Sequence, residues 1–409
     1  VVDAIADDRA SGEGTALTGA GRGEHWVGTW AAAPQPALGE PAEYRGQTLR
    51  LIVRGSVGGD GARIRLSNAF GTSDLEIGAA YIARRAEGAA IAPGTSRRLS
   101  FDGHPSVTIA PGGEVTSDAS NLAVEPLSDL AVSVYLPRPA KACTDHFPAL
   151  QTSYVTRPGP DVGGASGFPF ATALMSWPFL TAVEVRRPGP ARAVVAVGDS
   201  LVDGAASTHD TNRRWPSILA VRLQHDHGAN ATAVLNHGII GNRLLFPSPP
   251  DRPFHGPAGM ARFEHGALSL TGVRYVIASF GINDIGFGGS VTPPAEQVTA
   301  AQLIEGFSEI ATLARRNRIT MIGSTITPFE GALSGPGFHT AEKERVRSQV
   351  NHWIRRSNTF DHVVDFDAVL RSRTRPSRLD TRFDSGDHLH PNDAGHHAMA
   401  EVFDLRIFQ

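Results

Sequence analysis

The sequence predicts an α/β fold: a five-stranded parallel sheet in a three-layer α/β/α arrangement, preceded by an all-β, sandwich-like domain. Three observations carry the prediction. From about residue 191 short apolar runs alternate with helical periods, which implies βαβ units. Residues 25–187 instead show short alternating stretches broken by Gly, Pro, Asn and Asp. The chain has 409 residues with 44 Gly and 28 Pro, too long for one usual domain and rich in turns. The expected division is a mobile tail over 1–24, a β-rich accessory domain over 25–188 and an α/β domain over 189–409.

Composition narrows the function classes. Hydrophobic residues at 41% suffice for sizeable cores, and a net charge of -3 without a basic stripe argues against a nucleic-acid partner. No apolar run reaches the roughly 18 residues of a membrane span. Cys143 is the only cysteine, which excludes an intrachain disulfide and CxxC-type sites. Val1 to Arg22 is mostly small and polar, with no charged-then-apolar leader pattern. An extracellular, exported protein is the expectation, with the cytoplasm as the alternative, and oligomeric state is left open.

In the first half, Leu49–Arg54, Arg63–Ser67, Ala79–Ala83, Val107–Ile109, Leu130–Tyr135 and Thr152–Thr156 read as strands. Arg63-Ile64-Arg65-Leu66 alternates as a sheet with one wet face requires. Trp26 and Trp30 are either a stacking platform for a sugar or core residues, and the spacing favours core. Asp145-His146 reads as a loop pair. Val183–Arg187 is a charged strand that runs into the Pro188-Gly189-Pro190 linker.

In the second half, strands are expected at Val194–Val197, Ala233–Asn236, Tyr275–Phe280, Ile319–Ile326 and Val363–Phe366. Helices are expected at Trp215–Gln224, Met260–Leu270, Gln302–Arg316, Ala341–Arg356 and Asn392–Asp404, the last opened by Pro391. Ligands of such sheets bind outside the strand carboxyl ends. Polar clusters follow several of those ends: Gly198-Asp199-Ser200, Asn236 to Asn242, Gly281-Ile282-Asn283-Asp284, and, beyond the last strand, Asp384 to Pro391. Alone, Ser200 is a helix cap or a nucleophile, Gly241 a turn or a donor site, and Asn283-Asp284 a cap or part of a site. Together they supply a hydroxyl, a base with an orienting carboxylate, and oxyanion donors, the parts of acyl transfer.

These blocks, Gly198-Asp199-Ser200-Leu201, Gly238-Ile239-Ile240-Gly241-Asn242, Gly281-Ile282-Asn283-Asp284 and Asp387-His388-Leu389-His390-Pro391, resemble those of SGNH hydrolases of the GDSL esterase/lipase superfamily. The resemblance covers about Ala191 to Asp404. Trp26-Val27-Gly28-Thr29-Trp30 opens a module similar to that of two-domain bacterial members. The resemblance implies a flavodoxin-like sheet and a serine esterase acting on small-molecule or carbohydrate esters without a cofactor. It implies Ser200 as nucleophile, His390 as general base and Asp387 as its orienting carboxylate. It implies an oxyanion hole of the Ser200 and Gly241 amides and the Asn283 side chain. An acyltransferase, or a carbohydrate-binding protein with a vestigial hydrolase half, are the alternatives.

Neighbouring residues are expected to do less. His388 competes with His390, but the spacing selects His390. The Asp387, His388, His390, His396, His397 cluster lacks HExxH or cysteine support for a metal. Asp199 is expected to brace its loop, His396 and His397 to be one partly buried and one exposed helix position, and Arg213-Arg214 to be a solvated helix start. The loops Asn242–Pro257, with Phe246, Pro247, Phe254 and His255, and Phe329–His339 either border the substrate or merely connect elements.

Overall fold

The computed structural model describes residues 25–189 and 191–409; the expected tail over 1–24 lies outside the described residues, as does Pro190. The second half forms a five-stranded parallel sheet from Ala193–Gly198, Ala233–Gly238, Val273–Ser279, Thr320–Ser324 and His362–Val364. Numbered along the chain, its spatial order is 2-1-3-4-5, so the direction of winding reverses at strand one and opens a crevice between the ends of strands one and three.

Both faces of this sheet are buried, and the side chains sort by parity. Val195 and Val197 face a core that includes Leu303, Phe307 and Ile310 of the helix Ala300–Arg316 and Ile354 of the helix Ala341–Arg356. Val194 and Ala196 face Trp215, Leu219 and Leu223 of the helix Trp215–His227 and Met399 of the helix Asp393–Glu401. A strand buried on both faces must be apolar throughout, and Ala193 to Val197 is. Thr299 starts its helix with a full capping box, which satisfies two amides that the first turn leaves orphaned.

The first half contains a four-stranded antiparallel sheet, in the order His25–Ala31, Leu180–Arg187, Gly61–Ser67, Glu114–Thr116. A six-stranded antiparallel sheet holds Gln47–Arg54, Asp129–Leu136 and Ala79–Arg84 at its centre. The expected charged strand before the linker is Leu180–Arg187; it is internal to its sheet, and its Glu184 is 1% exposed. The Arg63/Arg65 face is half-buried rather than wet. Both guanidiniums bond the Glu184 carboxylate, which also accepts from the Thr271 hydroxyl of the second half.

The halves meet closely. The Gly28 amide donates to the Thr271 carbonyl at 2.9 Å, the Val234 amide to the Ser56 hydroxyl at 3.1 Å, and Arg187 to the Ala231 carbonyl at 2.8 Å. Trp30 is buried with Trp177 edge-on at 4.9 Å, and Trp26 lies under the Arg63 guanidinium at 4.3 Å, so neither offers a stacking platform. The stretch expected as one helix over 260–270 splits into an α-turn, Gly259–Arg262, and a π-helix, Phe263–Leu268. Among the described residues no helix is long and apolar enough to cross a membrane.

Trp215 joins the sheet to its outer helices: its ring packs against Phe366 and Phe403, and its indole N–H donates to the Leu201 carbonyl at 2.9 Å. Trp215→Ala is expected to lower unfolding free energy by about 3–5 kcal/mol. Trp215→Phe, which keeps the ring but orphans that carbonyl, should cost about 1–3 kcal/mol. Urea titrations of the two variants check the order.

Candidate active site

The first strand ends at Gly198, which runs so close to strand three that a Cβ there would lie 2.1 Å from the Ser279 carbonyl. Asp199 then caps the four-residue helix Ser200–Asp203 by accepting from the Leu201 amide at 3.0 Å. Capping thus falls to Asp199, and the Ser200 hydroxyl is free for another partner. Its Oγ lies 2.9 Å from Nε2 of His390. The other ring nitrogen of His390, Nδ1, lies 2.6 Å from Oδ2 of Asp387.

The turn Ser385 to His390 preorganises that carboxylate. Asp387 Oδ1 accepts from the Leu389 amide at 2.9 Å, the His390 amide at 2.8 Å and the Ser385 hydroxyl at 3.0 Å. Burial opposes its charge, but the bond and charge of His390 and the two amides prevail and hold the carboxyl well below its ordinary range. His388 turns the other way, to Asp384 at 2.5 Å, and shares no contact with Ser200.

Gly241 and Asn283 follow the two strands that flank Ser200's strand, and a bond between Asn283 and the Gly241 loop joins them. Asn283, buried in the first turn of the helix Ile282–Phe287, donates one amide hydrogen to the Asn242 carbonyl at 3.1 Å and retains a second. Gly241 has φ 68°, and a Cβ there would sit 2.5 Å from the His255 ring, so glycine is required on two counts. The Ser200 amide lies in a helical first turn, where no intrahelical acceptor exists.

The long loop after Gly241 is tied down at its base. Asn242 donates to the carbonyls of His255 and Pro257 at 2.7 and 2.8 Å. Asp284 accepts the amides of Leu244 and Leu245 at 2.8 and 2.9 Å. His255 is buried against Phe287, 5.6 Å between ring centroids, and burial pushes its pKa down to about 4, so it stays neutral. Phe246 sits under Arg243 at 5.1 Å, Phe254 is half-buried against His255, and Pro247 is exposed. In the second loop Phe329 and Phe338 are core residues, while the Leu333 amide donates to the Asp387 carbonyl at 3.0 Å.

One residue with no signal in the sequence lies beneath all of this. Arg262, buried, donates to the carbonyls of Gly198 at 2.8 Å and His237 at 2.9 Å and to the Asn242 side chain at 2.9 Å. A single guanidinium therefore joins the ends of strands one and two to the loop that follows Gly241. Burial lowers its pKa to about 9, still high enough to remain charged, with Asp199 and Asp203 opposing the shift. It also donates to His237 Nδ1 at 3.2 Å, which makes that nitrogen an acceptor.

Other expectations fare differently. Arg213 is exposed and pairs with Asp393, but Arg214 is not solvated: it is buried, 3.7 Å from Asp203. Its guanidinium donates to the Ala149 carbonyl and stands over the Trp177 ring, both of the first half, which cover it. Asp145-His146 is not a surface loop pair either. Thr144–Asp145 is a strand and His146 is buried against the Ser200 helix. His396 is fully buried, bonding the Ala205 carbonyl, and His397 is exposed.

With this geometry in place, the comparison with known families is decisive for the second half. Residues 196–398 match the model of the GDSL-like lipase/acylhydrolase family. The C-terminal half is a GDSL-like lipase/acylhydrolase domain. No curated protein matches the chain. Solved structures similar to the GDSL domain include a variant of an acetyl xylan esterase from Geobacillus stearothermophilus, at 18% identity and TM-score 0.40, covering 53% of this chain and 94% of that one. A carbohydrate acetylesterase from Sinorhizobium meliloti gives 16% identity and TM-score 0.38, covering 51% and 94%. A GDSL-like lipase from Bacteroides thetaiotaomicron gives 16% and 0.36, covering 52% and 85%.

The GDSL domain holds two carboxyls whose protons are retained unusually late. Burial pushes Asp199 up to about 7 and Asp284 up to about 6, the amides they accept only partly offsetting it. At these two sites the folded protein keeps protons that the unfolded chain has lost, so their contribution to stability should fall as pH rises from about 4 to about 7. Asp199→Asn keeps the acceptor for the Leu201 amide and removes the ionisation. Thermal unfolding across that window should therefore show the variant gaining stability relative to the wild type as pH rises.

Proposed function

We propose that the protein is a serine esterase that hydrolyses carboxylic esters of small acyl groups through an acyl-enzyme. The observation that carries this reading is the chain of contacts from Ser200 Oγ to His390 Nε2 at 2.9 Å and from His390 Nδ1 to Asp387 at 2.6 Å. The bond that ties the Asn283 amide to the loop of Gly241 supports the same reading.

In this mechanism His390 takes the Ser200 proton as Oγ attacks the ester carbonyl. Asp387, kept ionised, holds the ring with Nε2 toward the serine and stabilises the imidazolium that forms. The developing oxyanion accepts from the Ser200 and Gly241 amides and the second hydrogen of Asn283 Nδ2. Collapse expels the alcohol, which takes the proton from His390, and leaves the acyl group on Ser200. Water then attacks with His390 again as base, releasing the acid and restoring the serine. The His255 ring packed over Gly241 narrows that side of the site, which supports small acyl groups over long chains.

Purified protein is expected to release p-nitrophenol from p-nitrophenyl acetate, and Ser200→Ala to lose that activity. Unchanged turnover in that variant would rule the serine out. Asn283→Ala should lower kcat by roughly 100- to 1000-fold with Ser200 still labelled by a fluorophosphonate. A series of acyl chain lengths should show turnover falling as the chain grows.

A further inference from the structure

We propose that the β-rich first half is part of the catalytic apparatus, with His146 a positioning residue that fixes the Ser200 helix through one proton shared with Asp203. The inference rests on Ser200 being the nucleophile, and on a juxtaposition of two buried side chains from different halves of the chain. His146 Nδ1 lies 2.8 Å from the Ala33 carbonyl, and Nε2 lies 3.1 Å from Oδ1 of Asp203. His146 is 3% exposed and Asp203 1%. Asp203 is the last residue of the helix that Ser200 begins.

Both ring nitrogens thus face oxygen acceptors. A carbonyl can only accept, so Nδ1 carries a hydrogen, and a neutral imidazole has no second one to give. Two arrangements satisfy both contacts: an imidazolium against a carboxylate, or a neutral ring accepting from a carboxylic acid. Each keeps one proton between His146 and Asp203. Asp203 Oδ2 has no hydrogen-bond partner among the described residues, so little else holds the carboxylate in place.

The surrounding charges are few and fixed. Arg214 Nη1 stands 3.7 Å from Asp203, and its side chain packs over Gly204, the C-cap of the same helix. Trp177 stacks on His146 with 5.6 Å between centroids and lies beneath Arg214. Asp145 accepts the His146 amide at 2.8 Å, while Arg262 acts on Asp203 and His146 on His237 through space. Ser200 and Asp203 share a single turn, and the Ser200 carbonyl accepts the Gly204 and Ala205 amides. Displacing Asp203 therefore displaces Ser200 from His390. Since neither His146 nor Asp203 touches substrate in this account, the loss should fall on kcat and spare KM.

The test follows p-nitrophenyl acetate turnover and fluorophosphonate labelling of Ser200 in the full chain, with Ser200→Ala as the labelling control. In Asp203→Asn the carboxamide donates to a neutral His146, so kcat and labelling should be rescued relative to Asp203→Ala. His146→Ala and Asp203→Ala should lose about 10- to 100-fold in kcat at little-changed KM. Asp203→Asn no more active than Asp203→Ala, or wild-type kcat in His146→Ala, would overturn the proposal. Should His146→Ala not fold, the comparison of Asp203→Asn with Asp203→Ala decides alone. Wild-type protein that never labels at Ser200 would overturn the nucleophile assignment and this inference with it; wild-type labelling without rescue in Asp203→Asn overturns this inference only.

Discussion

A buried guanidinium is expensive to desolvate unless its donors are used, and Arg262 spends them on four acceptors at the site. Parallel strands bring their carboxyl ends to one edge, but that alone leaves the ends free to splay where pairing stops. Bonding to the Gly198 and His237 carbonyls adds a side-chain tie across strands one and two at the last positions of their ladder. Bonding to Asn242 carries the same constraint into the loop, and from there to Asn283. The relative placement of Ser200, Gly241 and Asn283 therefore depends on one cation that lies behind them.

The carboxylates around this cation show how environment divides similar groups. Asp199 and Asp284 are fully buried and, although each accepts backbone amides, desolvation dominates and raises them. Asp387 is only half-buried and has His390 directly opposite, so hydrogen bonding outweighs desolvation and it is lowered. The first two serve as acceptors that set backbone geometry. The third retains its charge, which is the property an orienting partner for a histidine requires.

The parallel sheet was legible because its strands are apolar on both faces and each is followed by a helical period or a polar cluster. The spacing of Ser200, Gly241, Asn283 and the Asp387–His390 turn was legible for a related reason, since each lies just beyond such a run or in a compact turn. What remained hidden depends on partners distant in sequence. Arg262 looks like any polar residue on a helix, and nothing local announces that it will be buried between two strand ends. His146 and Asp203 are 57 positions apart, so Asp203 reads as a routine first-turn acid and Asp145-His146 as a polar loop. The same holds for Arg214 and Glu184, whose charges suggest solvent until the opposing surface is known.

The placement of the Ala233–Gly238 strand bears on how the two halves must be made. In the order 2-1-3-4-5 it is one of the two outer strands, and an uncovered outer strand is a template for pairing with other chains. Here the first half lies against it, with Ser56 accepting the Val234 amide and Gly28 packed on Leu235. During synthesis the covering half leaves the ribosome first and can fold before the vulnerable strand appears. Chain order thus works as an intramolecular chaperone: the guard is in position before the edge it protects exists.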